Sequence, residues 1–265
     1  MIIASDLDRT LIYSSRAIKE LGGPEKSELK PIEEKDGNWV SFMTERSYHS
    51  LKELSKHCLF IPVTTRTTDQ FKRFIFDEDI ELPYVITSNG ANIFYRGELI
   101  KEWSTNIFTR LEKESVLQEE LLAIMKARGF YFDGHLKQAE NQFFYYILNN
   151  LPTASEKRAI NELTSKLGWR ISLQGRKLYF IPNAISKGNA LEFICNRERM
   201  EALAGSGDSI LDLDFLQYCR YRYVPKHGEL ASVSENISFT ITRSNGVNAG
   251  AEILQQFLDL LPLKV

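Results

Sequence analysis

The chain opens on an apolar run, Ile2-Ile3-Ala4, that stops at two acids, Asp6 and Asp8, with Thr10 two residues further on. A short apolar run at this position predicts a strand buried on both faces, as in a parallel sheet, and so restricts the chain to folds in which helices cover a sheet. Asp6 and Asp8 have i, i+2 spacing, so an extended backbone points both to one side. Two carboxylates at the mouth of an apolar strand repel each other and are costly to desolvate. A divalent cation would offset that cost, and Asp6 would be free to attack an electrophile beside it. Asp-x-Asp-x-Thr alone is matched by many surface loops, so its weight depends on the rest of the chain.

The totals narrow the function classes. At 265 residues the chain suits one large domain or two modest ones. A net charge of −2 offers no basic field for nucleic acid. Cys58, Cys195 and Cys219 are scattered with no Cys-x-x-Cys, which argues against a disulfide framework or a zinc site. No apolar run approaches the length of a membrane span, and the strand at the N-terminus leaves no room for a signal peptide. The expectation is a cytoplasmic protein without nucleic-acid or membrane partners.

Beyond the acids, Tyr13 to Asn38 is polar and reads as a loop with a short helix around Ser15 to Leu21, either a small flap beside the site or surface elaboration. Thr44 to His57 reads as a helix capped by Thr44, with Tyr48, Leu51 and Leu54 on one face and His49 and His57 toward solvent. Cys58 to Val63 is a second buried strand, ending in Thr64-Thr65-Arg66-Thr67. A hydroxyl just past the C-terminal end of a parallel strand lies where open α/β sheets bind ligands. Thr64 or Thr67 alternatively caps a helix from Asp69 to Phe76. Tyr84 to Thr87 is a third strand, followed by Ser88-Asn89-Gly90-Ala91.

The pattern then changes. Ile93 to Trp103 predicts a hairpin turning at Arg96-Gly97, and Thr105 to Arg128 a single amphipathic helix. Phe130 to Phe132 and Gln142 to Leu148 read as strands, Ser155 to Leu167 as a helix capped by Ser155, and Trp169 to Ile181 as another hairpin. These make an α+β unit over residues 92–182, with Phe143 to Tyr146 as sheet core. Lys187 opens the next helix, against the macrodipole preference; a nearby anionic ligand would explain it. Ala202 to Ala204 is a strand ending in Gly205-Ser-Gly207-Asp208, with Asp212 four residues on. Asp208 and Asp212 either share a helical face, or Asp212 is an ordinary first-turn residue. Tyr221 to Val224 and Ile237 to Thr242 complete the strands, and Val247 to Leu260 is a closing helix.

Asp6-Leu-Asp8-Arg-Thr10, then Thr64, then Lys187, then Gly207-Asp208-Ser-Ile-Leu-Asp212 form a series that resembles the haloacid dehalogenase (HAD) phosphohydrolase superfamily over essentially the whole chain. The resemblance implies an α/β fold: a Rossmann-like parallel-sheet core, residues 1–91 and 183–265, with an inserted α+β cap at residues 92–182. That insert resembles the type IIB cap of Cof-type and sucrose-phosphate-phosphatase-like members. It further implies a Mg²⁺-dependent phosphatase acting on a small phosphorylated metabolite, a sugar phosphate foremost. In that picture Asp6 is the nucleophile and forms an aspartyl-phosphate, and Asp8 is the general acid and base. Asp6, the backbone of Asp8, Asp208 and Asp212 make the metal site, and Thr64 and Lys187 hold the phosphoryl oxygens. Arg66, just after Thr64, is placed to meet a substrate group. A phosphomutase of the phosphomannomutase type would use the same acids, and a catalytically silent HAD scaffold would bind a ligand or a protein. Three residues depart from the pattern: Arg9 and Thr65 stand where Gly is common, and Leu211 where Asn usually precedes the final Asp.

Overall fold

The computed structural model describes residues 1–233 and 237–261. The chain divides into two compact units, Met1–Leu99 with Lys187–Val265, and Ile100–Ser186. The first unit is built on a five-stranded sheet, in the order Thr240–Ile241, Tyr221–Val224, Ala202–Ser206, Ile2–Ser5 and Leu59–Pro62, with every pairing parallel. Ile2, Ile3 and Ala4 are completely buried, as a central parallel strand requires. The expected α/β class is the observed one. Beyond the Leu59–Pro62 edge, a parallel bridge from Val63 to Ile86 leads into an antiparallel sheet of Tyr84–Thr87, Asn92–Tyr95 and Glu98–Leu99. Pairing with Tyr84–Thr87 groups the Arg96-Gly97 hairpin with this unit, whereas the sequence suggested that it opened the insert.

The stretch expected as a loop from Tyr13 to Asn38 is more ordered than its polarity suggested. After a helix over Ser15–Leu21, Leu29–Lys35 and Asn38–Thr44 pair as an antiparallel hairpin that Tyr13–Ser14 extends to three strands. Asp36 and Gly37 turn it at φ 51° and 74°, the left-handed pair that a two-residue Asp-Gly turn requires. The helix Glu45–Ser55 starts at Thr44, whose hydroxyl accepts from the Ser47 amide. The expected helix after Thr67 is only Thr68–Phe71, closed by a reciprocal box between Thr67 and Gln70.

The second unit carries its own antiparallel sheet, ordered Trp169–Gln174, Lys177–Pro182, Phe143–Leu148 and Gly134–Ala139. The strand at the far edge is thus Gly134–Ala139, not Phe130 to Phe132. The single helix expected over Thr105 to Arg128 is two, Lys101–Glu114 and Gln118–Ala127, because Ser115 and Leu117 adopt extended backbone. Thr153, not Ser155, caps the helix Ala154–Ser165, with Glu156 completing the box. Phe144 and Phe180 stack at 4.8 Å and 8° in the middle of this unit's core, beside Trp169, Leu121 and Ile160. Among the described residues, no helix is long and apolar enough to cross a membrane.

Candidate active site

Two parallel strands of the first unit, Ile2–Ser5 and Ala202–Ser206, end side by side, and each runs on into acids. The Asp6 amide donates to Ser206 O at 2.9 Å, and the Ser5 and Ser206 hydroxyls meet at 2.7 Å, so the two strand exits are tied together. After Asp6 the chain curls: the amides of Thr10, Leu11 and Ile12 all turn back on Leu7 O. Thr10 Oγ1 donates to Asp6 Oδ2 at 3.2 Å. The curl forces Arg9 to φ 63°, the left-handed region where Gly is at ease. Its carbonyl is held by His227 Nε2 at 2.9 Å, while His227 Nδ1 accepts from the Gly246 amide at 3.2 Å. Those two bonds fix the neutral tautomer with the proton on Nε2. Burial lowers the His227 pKa, against the opposing effect of the bond to the Arg9 carbonyl.

Lys187 begins the helix Lys187–Glu198 and is 1% exposed. Its Nζ donates to Asp6 Oδ1 at 2.7 Å and to Asp212 Oδ1 at 2.6 Å. Burial would discharge such a lysine, but the two carboxylates outweigh it and hold the pKa above its usual value. Asp212 turns its other oxygen onto the amides of Asp208 and Ser209, at 3.1 and 2.9 Å, and onto the Ser209 hydroxyl at 3.0 Å. It is thus a first-turn residue, of the short 3-10 turn Ile210–Asp212 and boxed with Ser209, and a buried keystone of the loop; Asp208 lies before that turn, so the two acids do not share a helical face. A Cβ at Gly207 would lie 2.4 Å from that of Asp212, so only glycine lets the loop close. Leu211, where the resemblance led one to expect Asn, is 5% exposed and turned into the interior.

Asp6, Asp208 and Asp212 each bring a carboxylate oxygen within 4.8 Å of the others. Desolvation, against the pull of Lys187, pushes Asp6 up to about 7. Asp208 is raised well above the carboxylate range, by burial first and then by the charges of Asp6 and Asp212. Three crowded acids facing one lysine are under-compensated, and their donors are all hard oxygens. The set suits a Mg²⁺-type cation.

On the other side of Asp6, Asp8 meets Arg66, which donates Nε to Oδ2 at 2.6 Å and Nη2 to Oδ1 at 2.7 Å. Arg66 also pairs with Glu33, Nη1 to Oε1 at 2.8 Å and Nη2 to Oε2 at 3.0 Å, and its guanidinium lies 4.3 Å from the Phe74 ring centroid. Thr64 is completely buried, and its Oγ1 accepts from the Arg66 amide at 3.1 Å. Ser88 and Asn89 brace this loop through their amides, to Arg66 O at 2.7 Å and Thr64 O at 3.0 Å. Thus Asp6, Lys187, Asp208 and Asp212 form one cluster, and Asp8, Arg66 and Glu33 a second chain of charges beside it.

A family model described as sucrose-6F-phosphate phosphohydrolase matches residues 1–222. The chain belongs to this family. It is a phosphatase of the haloacid dehalogenase superfamily. Similar solved structures include the sucrose-phosphatase of Synechocystis sp. PCC6803 in complex with sucrose and phosphate, at 16% identity and a TM-score of 0.67, covering 97% of each chain. A trehalose-6-phosphate phosphatase related protein has 15% identity and a TM-score of 0.56, covering 98% of each chain. A haloacid dehalogenase-like hydrolase from Bacillus subtilis has 15% identity and a TM-score of 0.54, over 98% of this chain and 92% of that one. At such identities the likeness speaks for the fold. No curated protein sequence matches the chain at a significant level.

Within this phosphatase, sequence reasoning missed Glu33 and His227. Glu33 lies in a run of charges, Glu33-Glu34-Lys35-Asp36, that reads as a solvated loop. The one available signal was Asp36-Gly37, which marks a hairpin and so places the run in a strand; the register shifts on both sides of Glu33, so alternation from the turn does not by itself pick the buried acid. His227 carried no motif at all.

Proposed function

We propose that this chain is a Mg²⁺-dependent phosphatase that hydrolyses a sugar phosphate through an aspartyl-phosphate on Asp6. The observation that carries the reading is Lys187, a buried ammonium shared by Asp6 and Asp212 beside Asp208. An ammonium has three N–H donors. Two are engaged by the carboxylates, and the third is assigned to a phosphoryl oxygen. The Thr64 hydroxyl already accepts from Arg66, which leaves its hydrogen to donate to a second phosphoryl oxygen. Asp6, Asp208 and the backbone of Asp8 would hold Mg²⁺, with Asp212 as a further partner. When bound, the cation would offset the negative charge of the carboxylates and of the phosphoryl group.

In the first half-reaction an Asp6 oxygen bonds to phosphorus, the bond to the sugar oxygen breaks, and Asp8 gives that oxygen its proton. In the second, Asp8 takes a proton from water, the water oxygen bonds to phosphorus, and the bond to Asp6 breaks. The family description and the sucrose-phosphatase likeness support a sugar as the leaving group, with sucrose 6-phosphate the first substrate to test. The unit Ile100–Ser186 is read as the type IIB cap of this class.

The test is phosphate release from a panel of sugar phosphates and a generic aryl phosphate with Mg²⁺. Asp6→Asn is expected to abolish turnover, and Asp8→Ala to lower it by about 10²–10⁴-fold. Substantial activity in Asp6→Asn would end the covalent mechanism. A panel in which no sugar phosphate exceeds the aryl ester would end the sugar assignment.

A further inference from the structure

Glu33 is a carboxylate in the interior of a hairpin. In Leu29–Lys35 it is 2% exposed, while Glu34 and Lys35 beside it are open to solvent. A carboxylate taken out of water is costly unless paired and hydrogen-bonded, and Glu33 is amply paired. Ser41 Oγ donates to it at 2.5 Å, Arg66 contacts both its oxygens, and Arg73 Nη2 reaches Oε1 at 2.9 Å. Its strand is also fastened to the segment after Arg66. The Ile75 amide donates to Ile32 O at 2.8 Å, and Glu33 bridges Phe74, whose ring lies against the Arg66 guanidinium. Arg66 is thus held by Glu33 and Phe74, and what it presents to Asp8 follows from that hold.

We infer that Glu33 is a positioning residue for proton transfer: it anchors the Arg66 guanidinium, which orients Asp8 toward the leaving oxygen. The inference rests on the reading of Asp8 as general acid and base. Arg66 Nη2 is divided between Asp8 Oδ1, at 2.7 Å, and Glu33 Oε2, at 3.0 Å. To carry a proton to the substrate, one Asp8 oxygen must loosen from Arg66. Glu33 keeps the guanidinium in place while that happens, by offering it a second carboxylate. Without the Glu33 charge, Arg66 has Asp8 as its remaining counter-ion and loses its anchor. An alkyl alcohol must be protonated as it leaves, whereas p-nitrophenolate departs without a proton. A fault in positioning the acid therefore falls on the sugar ester and spares the aryl ester.

The experiment compares kcat/KM for p-nitrophenyl phosphate with that for the sugar phosphate the wild type turns over fastest, starting from sucrose 6-phosphate. The ratio does not depend on the fraction of enzyme that is folded. Glu33→Gln is expected to lose at least about tenfold more activity on the sugar ester than on the aryl ester, a part of the roughly 10²–10⁴-fold that a general acid contributes. Asp8→Asn should show the same pattern more strongly, and Glu33→Gln should add nothing in an Arg66→Ala background. Equal losses on both esters in Glu33→Gln, with Asp8→Asn still discriminating, overturn the inference alone. Equal losses in Asp8→Asn overturn the acid role of Asp8 and the role of Glu33 with it, and a wild type silent on every ester ends the phosphatase reading itself. If Glu33→Gln yields no folded protein, Ser41→Ala is read by the same ratio. A shift in the same direction supports the inference, and an unchanged ratio overturns it.

Discussion

Arg9 stands at φ 63° because the loop must curl back on Leu7 directly after Asp8. A side chain there carries a backbone cost that glycine would not, of about 1 kcal/mol or somewhat more. Its ion pair with Glu20, 3.6 Å long and 44% exposed on each side, is too open to repay much of that. Three residues earlier, Asp6 is raised from 3.8 to about 7, chiefly by burial and against the attraction of Lys187. The folded state then keeps a proton that the unfolded state has released. Without metal, this group makes stability fall as pH rises from about 4 to about 7, by at most about 1.4 kcal/mol per pH unit. Thermal unfolding in EDTA across that range should therefore show a steeper decline for the wild type than for Asp6→Asn. Added Mg²⁺ should flatten the wild-type decline. Parallel profiles for the two proteins would mean that Asp6 ionises in the folded state as freely as in water.

At the scale of elements, Lys187 reaches the acids because its helix is pressed against the next one. A Cβ at Gly188 would lie 2.3 Å from the backbone oxygen of Asp214, in the helix Leu213–Leu216. Backbone offers no flexible end to move aside, so Gly188→Ala must push the Lys187 helix away from its neighbour. Overpacking of this kind costs about 1–3 kcal/mol. It should lower turnover on aryl and sugar esters alike, because the phosphoryl contact proposed for Lys187 would be common to both. Chemical denaturation and kinetics on the purified variant check this, and unchanged kinetics would show that Lys187 tolerates a displaced helix. The hairpin Leu29–Lys35 and Asn38–Thr44 acts in a comparable way on the other side, carrying Glu33 to Arg66.

At the scale of the whole molecule, each unit has a core of its own. In one, Ile3, Phe60, Ile253 and Phe257 pack around the parallel sheet; in the other, Phe144, Phe180, Trp169 and Leu121 pack together. Removing the stacked ring in Phe144→Ala should cost about 3–5 kcal/mol, the usual range for a large buried aromatic. That loss should fall on the unit that holds the ring. In hydrogen exchange, amides of Phe143–Leu148 should lose protection while those of Ile2–Ser5 and Ala202–Ser206 keep theirs. Equal loss in all three strands would show that the two units unfold as one.

What the sequence by itself determined is whatever is written locally. Buried strands show as apolar runs, so Ile2 to Ala4 and Leu59 to Pro62 were legible, and so was the position of each acid, Thr64 and Lys187 at the end of a strand or the start of a helix. The break at Ser115 was not, because an apolar stripe continues through Val116 and Leu117 and periodicity alone does not register one turn of extended backbone. Tertiary structure decided everything that depends on pairing across the chain. Nothing near Lys187 announces that its ammonium is shared by Asp6 and Asp212. Nothing in the Glu33-Glu34-Lys35 run says which acid turns inward, since that depends on register with Asn38–Thr44 and on Arg66 and Arg73 waiting there. Charge identity is a property of residues, but the partner that makes a buried charge tolerable is supplied by the fold.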